Sequence, residues 1–411
     1  MSDRQPETRK ATKIILCDSE SGSEAIRSSG FKSVRTVAHE EAVCEIVDRE
    51  CVTDRTFTFF DQIVLAMSDH DLRDRVAMRL GDERCTWVDW QAVDTRSQDA
   101  IIRAIIDSKP MWTDEVCLMS DVPDGGSQQV FTTGFPLLDE HGFRLVRPAF
   151  MPVIGPYGSG KSVLMRQLCC NLFRMHGWRT LITSFEEKIK PRYQRDLRRH
   201  LIGEETYDSQ GVLTWHRKNE RNWTSDDVAK ADALIEGGFR FLRRKRGAML
   251  DAERLVDRIE FAVRVYGVDV VVIDPVNEID HQVARGESKT DYMGRFIMRL
   301  KQLADDYGLL MIVCAHPPKE GVEKRSSKGR LMTLNDGADT AHYGNKADIG
   351  WCVWRPGLTD NSPTYLHVDK LKDHDVMGKP TLAKLVLNSL DGAFVVQAVG
   401  YETLAHELAG V

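Results

Sequence analysis

Along the first hundred residues, short apolar runs alternate with stretches of helical periodicity. These runs and stretches are Lys13–Cys17, Ser23–Ser28, Ser33–Val37, Gln62–Met67, Leu72–Leu80, Thr86–Val88 and Gln98–Ile106. That alternation predicts a small α/β domain over residues 1–108. Between Ser108 and Gln129 the chain turns polar, with Pro110, Pro123 and Gly125-Gly126 as turn formers. Residues 109–129 therefore read as a linker, with a short docking segment around Trp112–Leu118. From Val130 onward strands again alternate with helices, and residues 130–411 read as one large α/β domain.

Composition narrows the class. Of 411 residues, 42% are hydrophobic and 29% charged, as in an ordinary globular chain. The longest apolar runs, Val268–Ile273 and Leu309–Ala315, are too short to span a bilayer. The opening MSDRQPETRK has no apolar core, so a secretory signal is not expected, and a cytoplasmic compartment (the host's, for a viral chain) is. The nine cysteines are irregularly spaced without any C-x-x-C pair, which supports neither a disulfide framework nor a zinc ribbon. A net charge of −6 means that any nucleic-acid site must be a local basic patch.

The strongest local signal is Pro152-Val-Ile-Gly155-Pro156-Tyr157-Gly158-Ser159-Gly160-Lys161-Ser162-Val163. It contains the G-x-x-x-x-G-K-S pattern between an apolar strand and a helical stretch, Val163–Phe173, the flanks a phosphate loop requires. Glycines let successive backbone N–H groups turn inward on the phosphates, and the helix adds its positive end. Lys161 is placed to neutralise the β- and γ-phosphates of ATP and the Ser162 hydroxyl to ligate Mg²⁺. The expected cofactors are ATP and Mg²⁺, with Gly155 through Val163 forming the binding loop.

Three further strands supply partners. Val268–Asp274 is an apolar run ending in a carboxylate, expected beside the phosphate loop, where Asp274 can hold the metal. The run Arg179–Ser184 is followed by Phe185-Glu186-Glu187, either of whose acids can orient and polarise the attacking water. Leu309–Ala315 ends in His316, positioned to contact the γ-phosphate and report its loss.

In their order, these motifs resemble the RecA-like replicative DNA helicases of the DnaB and Twinkle group. Thr133-Gly134-x-x-x-Leu138-Asp139 is similar to that family's approach motif. Ser184-Phe185-Glu186 resembles its catalytic-glutamate motif and favours Glu186 over Glu187. Asp274 matches its Walker B aspartate and His316 its sensor. The resemblance implies a ring-forming, DNA-dependent ATP hydrolase, expected as a hexamer of identical subunits, that unwinds duplex DNA 5′ to 3′ beside a replication polymerase. Near the end, Val368-Asp369-Lys370-Leu371-Lys372 resembles the family's Lys-x-Arg element, with Lys372 where the arginine reaches a neighbouring subunit's nucleotide. Lysine supplies the charge without the bidentate fork, so either Lys372 acts as the finger or a residue such as Arg355 does.

Residues 1–108 resemble a degenerate TOPRIM domain, the primase module that precedes this motor in Twinkle-type proteins. Its first acidic site reads Asp18-Ser-Glu20 without the glycine, and its second Ser68-Asp69-His70-Asp71. The expected role is structural or DNA-holding, and a primase-helicase is the alternative, as is a recombinase-type ATPase that does not unwind.

Lys319–Arg330, KEGVEKRSSKGR, carries five basic and two acidic residues. After the sensor strand it reads as a pore loop in which Lys324, Arg325, Lys328 and Arg330 track phosphates of single-stranded DNA; Asn345-Lys346 reads as part of a second. The other basic clusters, Arg192, Arg195, Arg198, Arg199 and Arg243–Arg246, read as solvated faces or subunit contacts.

Overall fold

A computed structural model of the chain describes residues 13–38, 62–80, 84–111, 119, 129–184, 188–207, 213–243, 250–276, 279, 288–318, 331–337, 342–356, 362–388 and 391–404. They form two compact units, Met1–Gln128 with Val263–Gly267, and Gln129–Ala262 with Val268–Val411.

The first unit runs β1 (Lys13–Cys17), α1 (Glu20–Ser28), β2 (Val34–Thr36), β3 (Gln62–Met67), α2 (His70–Leu80), β4 (Cys85–Asp89), α3 (Gln98–Ile106) and β5 (Lys109–Pro110). The strand order is β2-β1-β3-β4-β5, parallel except for β5. Ile14, Leu16, Ile63 and Leu65 bury into one core, and Ile15, Cys17, Val64 and Ala66 into the other. Strands buried on both faces explain why their sequences are continuous apolar runs. Ser19 and Ser97 cap α1 and α3 by accepting from Gly22 N and Ala100 N, so α1 starts upstream of the predicted Ser23. Lys109–Pro110, read as linker, instead pairs with β4. The segment Trp112–Leu118 lies outside the described residues.

The second unit opens with β6 (Val130–Phe131), α4 (Pro136–Glu140), β7 (Leu145–Val146), β8 (Ala149–Ile154), α5 (Lys161–His176) and β9 (Thr180–Ser184). There follow α6 (Gln194–Leu201), the hairpin β10 (Gly203–Tyr207) and β11 (Leu213–Arg217), α7 (Ser225–Gly238), β12 (Phe239–Phe241), α8 (Ala252–Tyr266), β13 (Val270–Asp274), α9 (Lys289–Tyr307) and β14 (Leu310–Ala315). The unit closes with α10 (His342–Lys346), β15 (Ile349–Trp354), β16 (Thr364–Leu371), α11 (His374–Met377), β17 (Thr381–Leu387) and β18 (Phe394–Val399). A nine-stranded sheet has the order β12-β9-β13-β14-β8-β15-β16-β17-β18. It is parallel from β12 to β15. From β15 to β18 it is an antiparallel meander, and there the expected strand–helix alternation stops. The connections between β16, β17 and β18 are too short to carry a crossover helix, so each strand returns beside its predecessor.

The approach motif is a braced turn. The Asp139 carboxylate accepts from Thr133 N and Oγ1, both at 2.8 Å, and from Gly134 N at 2.9 Å. Asn171 on α5 donates to the Thr133 and Gly134 carbonyls, each at 3.1 Å. Gly134 has φ +74°, and a Cβ there would lie 2.7 Å from the Asn171 side chain. The turn therefore ties the start of the unit to the helix that follows the phosphate loop.

Candidate nucleotide site

Strand β8 is buried along its whole length between β14 and β15 and delivers the chain into the loop Gly155–Gly160. Gly160 has φ +94°, and a Cβ on it would sit 2.7 Å from the Phe394 ring. A Cβ on Gly155 would sit 2.4 Å from the Val353 carbonyl. Only glycine fits at these two positions, and the Gly155 and Ser159 amides donate to the Ala315 and Pro156 carbonyls at 3.2 and 3.3 Å, which holds the turn of the loop. Helix α5 begins at Lys161, longer at both ends than the predicted Val163–Phe173, and ends at Gly177 in the left-handed conformation.

Registers explain how the side chains converge. Ala315 pairs with Ile154, so His316 emerges alongside Gly155. Lys161, 4% exposed, donates to the carbonyls of Gly155 at 2.6 Å and Pro156 at 2.9 Å, and its Nζ lies 3.2 Å from His316 Nδ1. Tyr157 stacks on the His316 ring at 3.7 Å between centroids. Burial, and then the Lys161 charge, push the His316 pKa below its ordinary value. Nδ1 also lies 3.2 Å from the Gly155 carbonyl, so the neutral ring can accept from the ammonium as one tautomer or donate to the carbonyl as the other.

Asp274 ends a central strand one place removed from the phosphate loop's own, because β14 lies between β13 and β8. The sheet order puts the sensor strand, not the aspartate strand, against β8. Asp274 still acts across the end of β14: after burial it is the next influence pushing the Cys314 thiol up, and it also acts on His316. Asp274 pairs in register with Ser184 on β9, so the two strand ends lie side by side. Phe185, Glu186 and Glu187 lie outside the described residues, as do Lys324, Arg325, Lys328 and Arg330.

The loop, with Ser162 and Val163, lines a cleft of about 290 Å³. Arg166, Arg192, Arg355, Thr364, Leu387 and Phe394 help to complete it. The sequence assigns none of these six to the chain's own nucleotide. Arg166 follows Ser162 by one helical turn, which is a readable signal. Arg192, Arg355 and Phe394 come from distant segments that only the sheet brings together. Arg355, the alternative finger for a neighbouring subunit, lines this chain's own cleft. Arg195 and Arg199 pair with Glu220, and Arg198 with Asp232, so this part of the basic cluster is an ion-pair network within the unit.

Lys370 donates to the carbonyls of Gly344 at 2.7 Å and Asn345 at 3.5 Å. Lys372 lies 3.2 Å from an Asp348 oxygen while its side chain is 67% exposed. The candidate finger lysines are thus joined to the segment of Asn345 and Lys346 rather than to this chain's phosphate loop.

In the first unit, Asp18 Oδ2 accepts from the backbone N–H of Ser68 at 2.5 Å and Asp69 at 2.8 Å, and Asp69 Oδ1 caps Leu72 N at 2.9 Å. Thr36 and then Arg27 hold the Glu20 carboxyl below its ordinary range. Among the described residues no group of three or more His, Cys, Asp or Glu side chains is placed to hold a metal ion.

The second unit is therefore a RecA-like P-loop ATPase core, a nucleotide-binding fold with a mainly parallel sheet flanked by helices. The AAA domain family matches residues 141–322. The Twinkle homolog protein, chloroplastic/mitochondrial, of Arabidopsis thaliana is 24% identical over 387 residues, covering 84% of this chain and 53% of that protein. The chain thus spans about half the length of that curated relative. A separately solved ATPase domain superposes with a TM-score of 0.50 at 17% identity, covering 65% of this chain and 91% of that one. A DnaB-like replicative helicase, solved for its interactions with primase, gives a TM-score of 0.48 at 17% identity, covering 66% of this chain and 64% of that one. The likeness to the Twinkle homolog, the family match and the shared ATPase fold bear out the resemblance to the DnaB and Twinkle group read from the motifs. Among the described residues no helix is long and apolar enough to cross a membrane.

Proposed function

We propose that this chain is the ATP-driven motor of a replicative DNA helicase, assembled as a homo-oligomeric ring, expected to be a hexamer, that draws single-stranded DNA through its centre 5′ to 3′ and displaces the complementary strand. The observation that carries this reading is the meeting of Lys161 and His316 at 3.2 Å, which joins the phosphate lysine to the strand leading toward the DNA-contacting segment.

In this reading Gly155–Val163 cradle the triphosphate, and Lys161 exchanges its loop carbonyls for phosphate oxygens. Ser162 and Asp274 hold Mg²⁺, which when bound neutralises charge on the phosphates. Glu186 takes the proton of the attacking water. His316 contacts the γ-phosphate and registers its loss. Lys370 and Lys372 complete the nucleotide site of the adjacent subunit. Lys324, Arg325, Lys328, Arg330, Asn345 and Lys346 follow the phosphates of one strand without reading bases. Residues 1–108 form a TOPRIM-like domain with a structural or DNA-holding role, residues 109–129 link it to the motor, and a replication polymerase in the cytoplasm is the expected partner.

A forked duplex with one labelled strand tests this directly. Strand release that requires ATP hydrolysis and disappears in Lys161→Ala supports the helicase. DNA-stimulated turnover without strand release would favour a recombinase-type ATPase instead. The bifunctional primase reading is disfavoured because Asp18 is already engaged by two backbone amides; ribonucleotide incorporation on a single-stranded template would restore it.

A further inference from the structure

Asp348 stands between the two candidate DNA-contacting residues Asn345-Lys346 and strand β15, and its side chain is 8% exposed. A carboxylate buried this far is costly unless several donors meet it. Three donors from separate parts of the unit do so. Lys301 on α9 reaches its two oxygens at 2.7 and 2.6 Å. The N–H of Phe150, on the strand that leads into the phosphate loop, donates to Oδ2 at 3.0 Å. Lys372, just past β16, lies 3.2 Å from Oδ1, and its backbone N–H donates to the Asp348 carbonyl at 2.9 Å. Burial pushes the carboxyl up, and Lys301, Phe150 N and Lys372 together more than offset it, so Asp348 is ionised.

The same ammonium of Lys301 also donates to the Lys346 carbonyl at 3.2 Å. One cation is therefore shared between Asp348 and the end of the short helix α10. A second tie runs in parallel: Lys370 on β16 donates to the Gly344 carbonyl of that helix. The ladder between β15 and β16 slips at this point, with Gly350 opposite Lys370 and Trp351 opposite Val368, leaving Asp369 out of register. Asp369 accepts from Leu334 N at 2.8 Å. Such a bulge re-aims side chains next to a working site. The end of β16 is thus tied to α10 directly through Lys370 and indirectly through Lys372, Asp348 and Lys301. Of the lysines involved, only Lys372 projects to solvent, with a side chain 67% exposed against 22% for Lys301.

We propose that Asp348 is the resting partner of Lys372 and that Asp348 with Lys301 forms a relay: when Lys372 leaves the carboxylate for a phosphate on the neighbouring subunit's nucleotide, the carboxylate, no longer held from that side, turns together with the Lys301 ammonium bound to it and draws that ammonium off the Lys346 carbonyl. The state of one nucleotide site is thereby felt at Asn345-Lys346 of the adjacent subunit. Asp348 and Lys301 are positioning residues in this scheme, acting through Lys372 and Lys346. The relay rests on the reading of Lys372 as the finger and of Asn345-Lys346 as DNA-contacting.

The test measures ATP turnover of the assembled full chain with and without oligothymidylate. Lys301→Gln is expected to keep the DNA-free rate while the ratio of stimulated to DNA-free turnover drops roughly tenfold, the usual size of coupling between sites. Lys301→Arg, which can still bridge a carboxylate and a carbonyl, restores the ratio. Asp348→Asn lowers the same ratio and raises the DNA-free rate, because Lys372 loses its resting partner. If Asp348→Asn does not fold, the Lys301 pair decides. An unchanged ratio in Lys301→Gln, or an equal fall in both rates, overturns the relay. Lys372→Ala, run in parallel, separates the two levels. Abolished turnover there, with an unchanged ratio in Lys301→Gln, sinks the relay alone. Wild-type turnover in Lys372→Ala, or wild-type turnover that ignores DNA, removes the underlying reading and the relay with it.

Discussion

Burial and the Lys161 ammonium act on His316 in the same direction, both disfavouring its charged form. The imidazole is therefore neutral at pH 7 and takes up its proton below the ordinary value of 6.5. Side-chain nitrogen NMR of the full chain should place its midpoint there. Lys161→Met removes the positive neighbour but not the burial, so the midpoint should move up part of the way; a midpoint unmoved by Lys161→Met would break the electrostatic link. The sign for stability follows: the unfolded chain binds this proton first, so the folded state loses stability as pH falls from 6.5 toward the folded midpoint. At Gly160 the constraint is steric. With φ +94° and Phe394 2.7 Å from a built Cβ, Gly160→Ala should cost about 1–3 kcal/mol in backbone strain plus the contact. In a Phe394→Ala background the same Gly160→Ala change should cost only the strain part, so the double-mutant cycle of urea midpoints separates strain from overlap.

Between elements, β18 is fastened to the phosphate-loop helix by one side chain. Gln167 on α5 donates to the Phe394 carbonyl at 2.9 Å and accepts from Phe394 N at 2.7 Å, both in buried surroundings. Gln167→Leu leaves two buried backbone groups without these bonds, at about 1–3 kcal/mol each. The expected result is a lower urea midpoint with unchanged slope and weaker binding of a fluorescent nucleotide; wild-type values for both would show that β18 is held by packing alone. This fastening also marks the boundary of what the sequence makes legible. The phosphate loop, the aspartate strand and the sensor strand are contiguous segments whose apolar runs end in one polar residue, and each is readable from those residues. The approach motif is readable too: the Asp139 carboxylate braces a turn, and burial pushes its pKa up. What escapes depends on pairing across long separations. The strand order that inserts β14 between β13 and β8, the meander after β15, the β10–β11 hairpin and the Arg192–Arg355–Phe394 side of the cleft carry no local signal.

At the scale of the whole molecule, a net charge of −6 sets the condition for DNA binding. An acidic envelope repels a polyanion at long range, so affinity must come from a few local cations, and their contribution is screened by salt. For single strands each neutralised phosphate contributes about −0.7 to the slope of log affinity against log salt. Replacing Lys324, Arg325, Lys328 and Arg330 with glutamine removes four positive charges. The slope should then become shallower by roughly 3, four contacts at about 0.7 each, and affinity should fall by a similar factor for oligothymidylate and for mixed sequences. Fluorescence anisotropy over a salt series measures both. The substitutions also deepen the overall charge, from −6 to −10, which lowers affinity at low salt wherever the residues sit. The slope is the discriminating quantity, because general repulsion fades with salt while lost contacts remove counterion release itself. A slope equal to that of the unaltered chain would therefore exclude this segment as the DNA track, even if affinity at low salt had dropped.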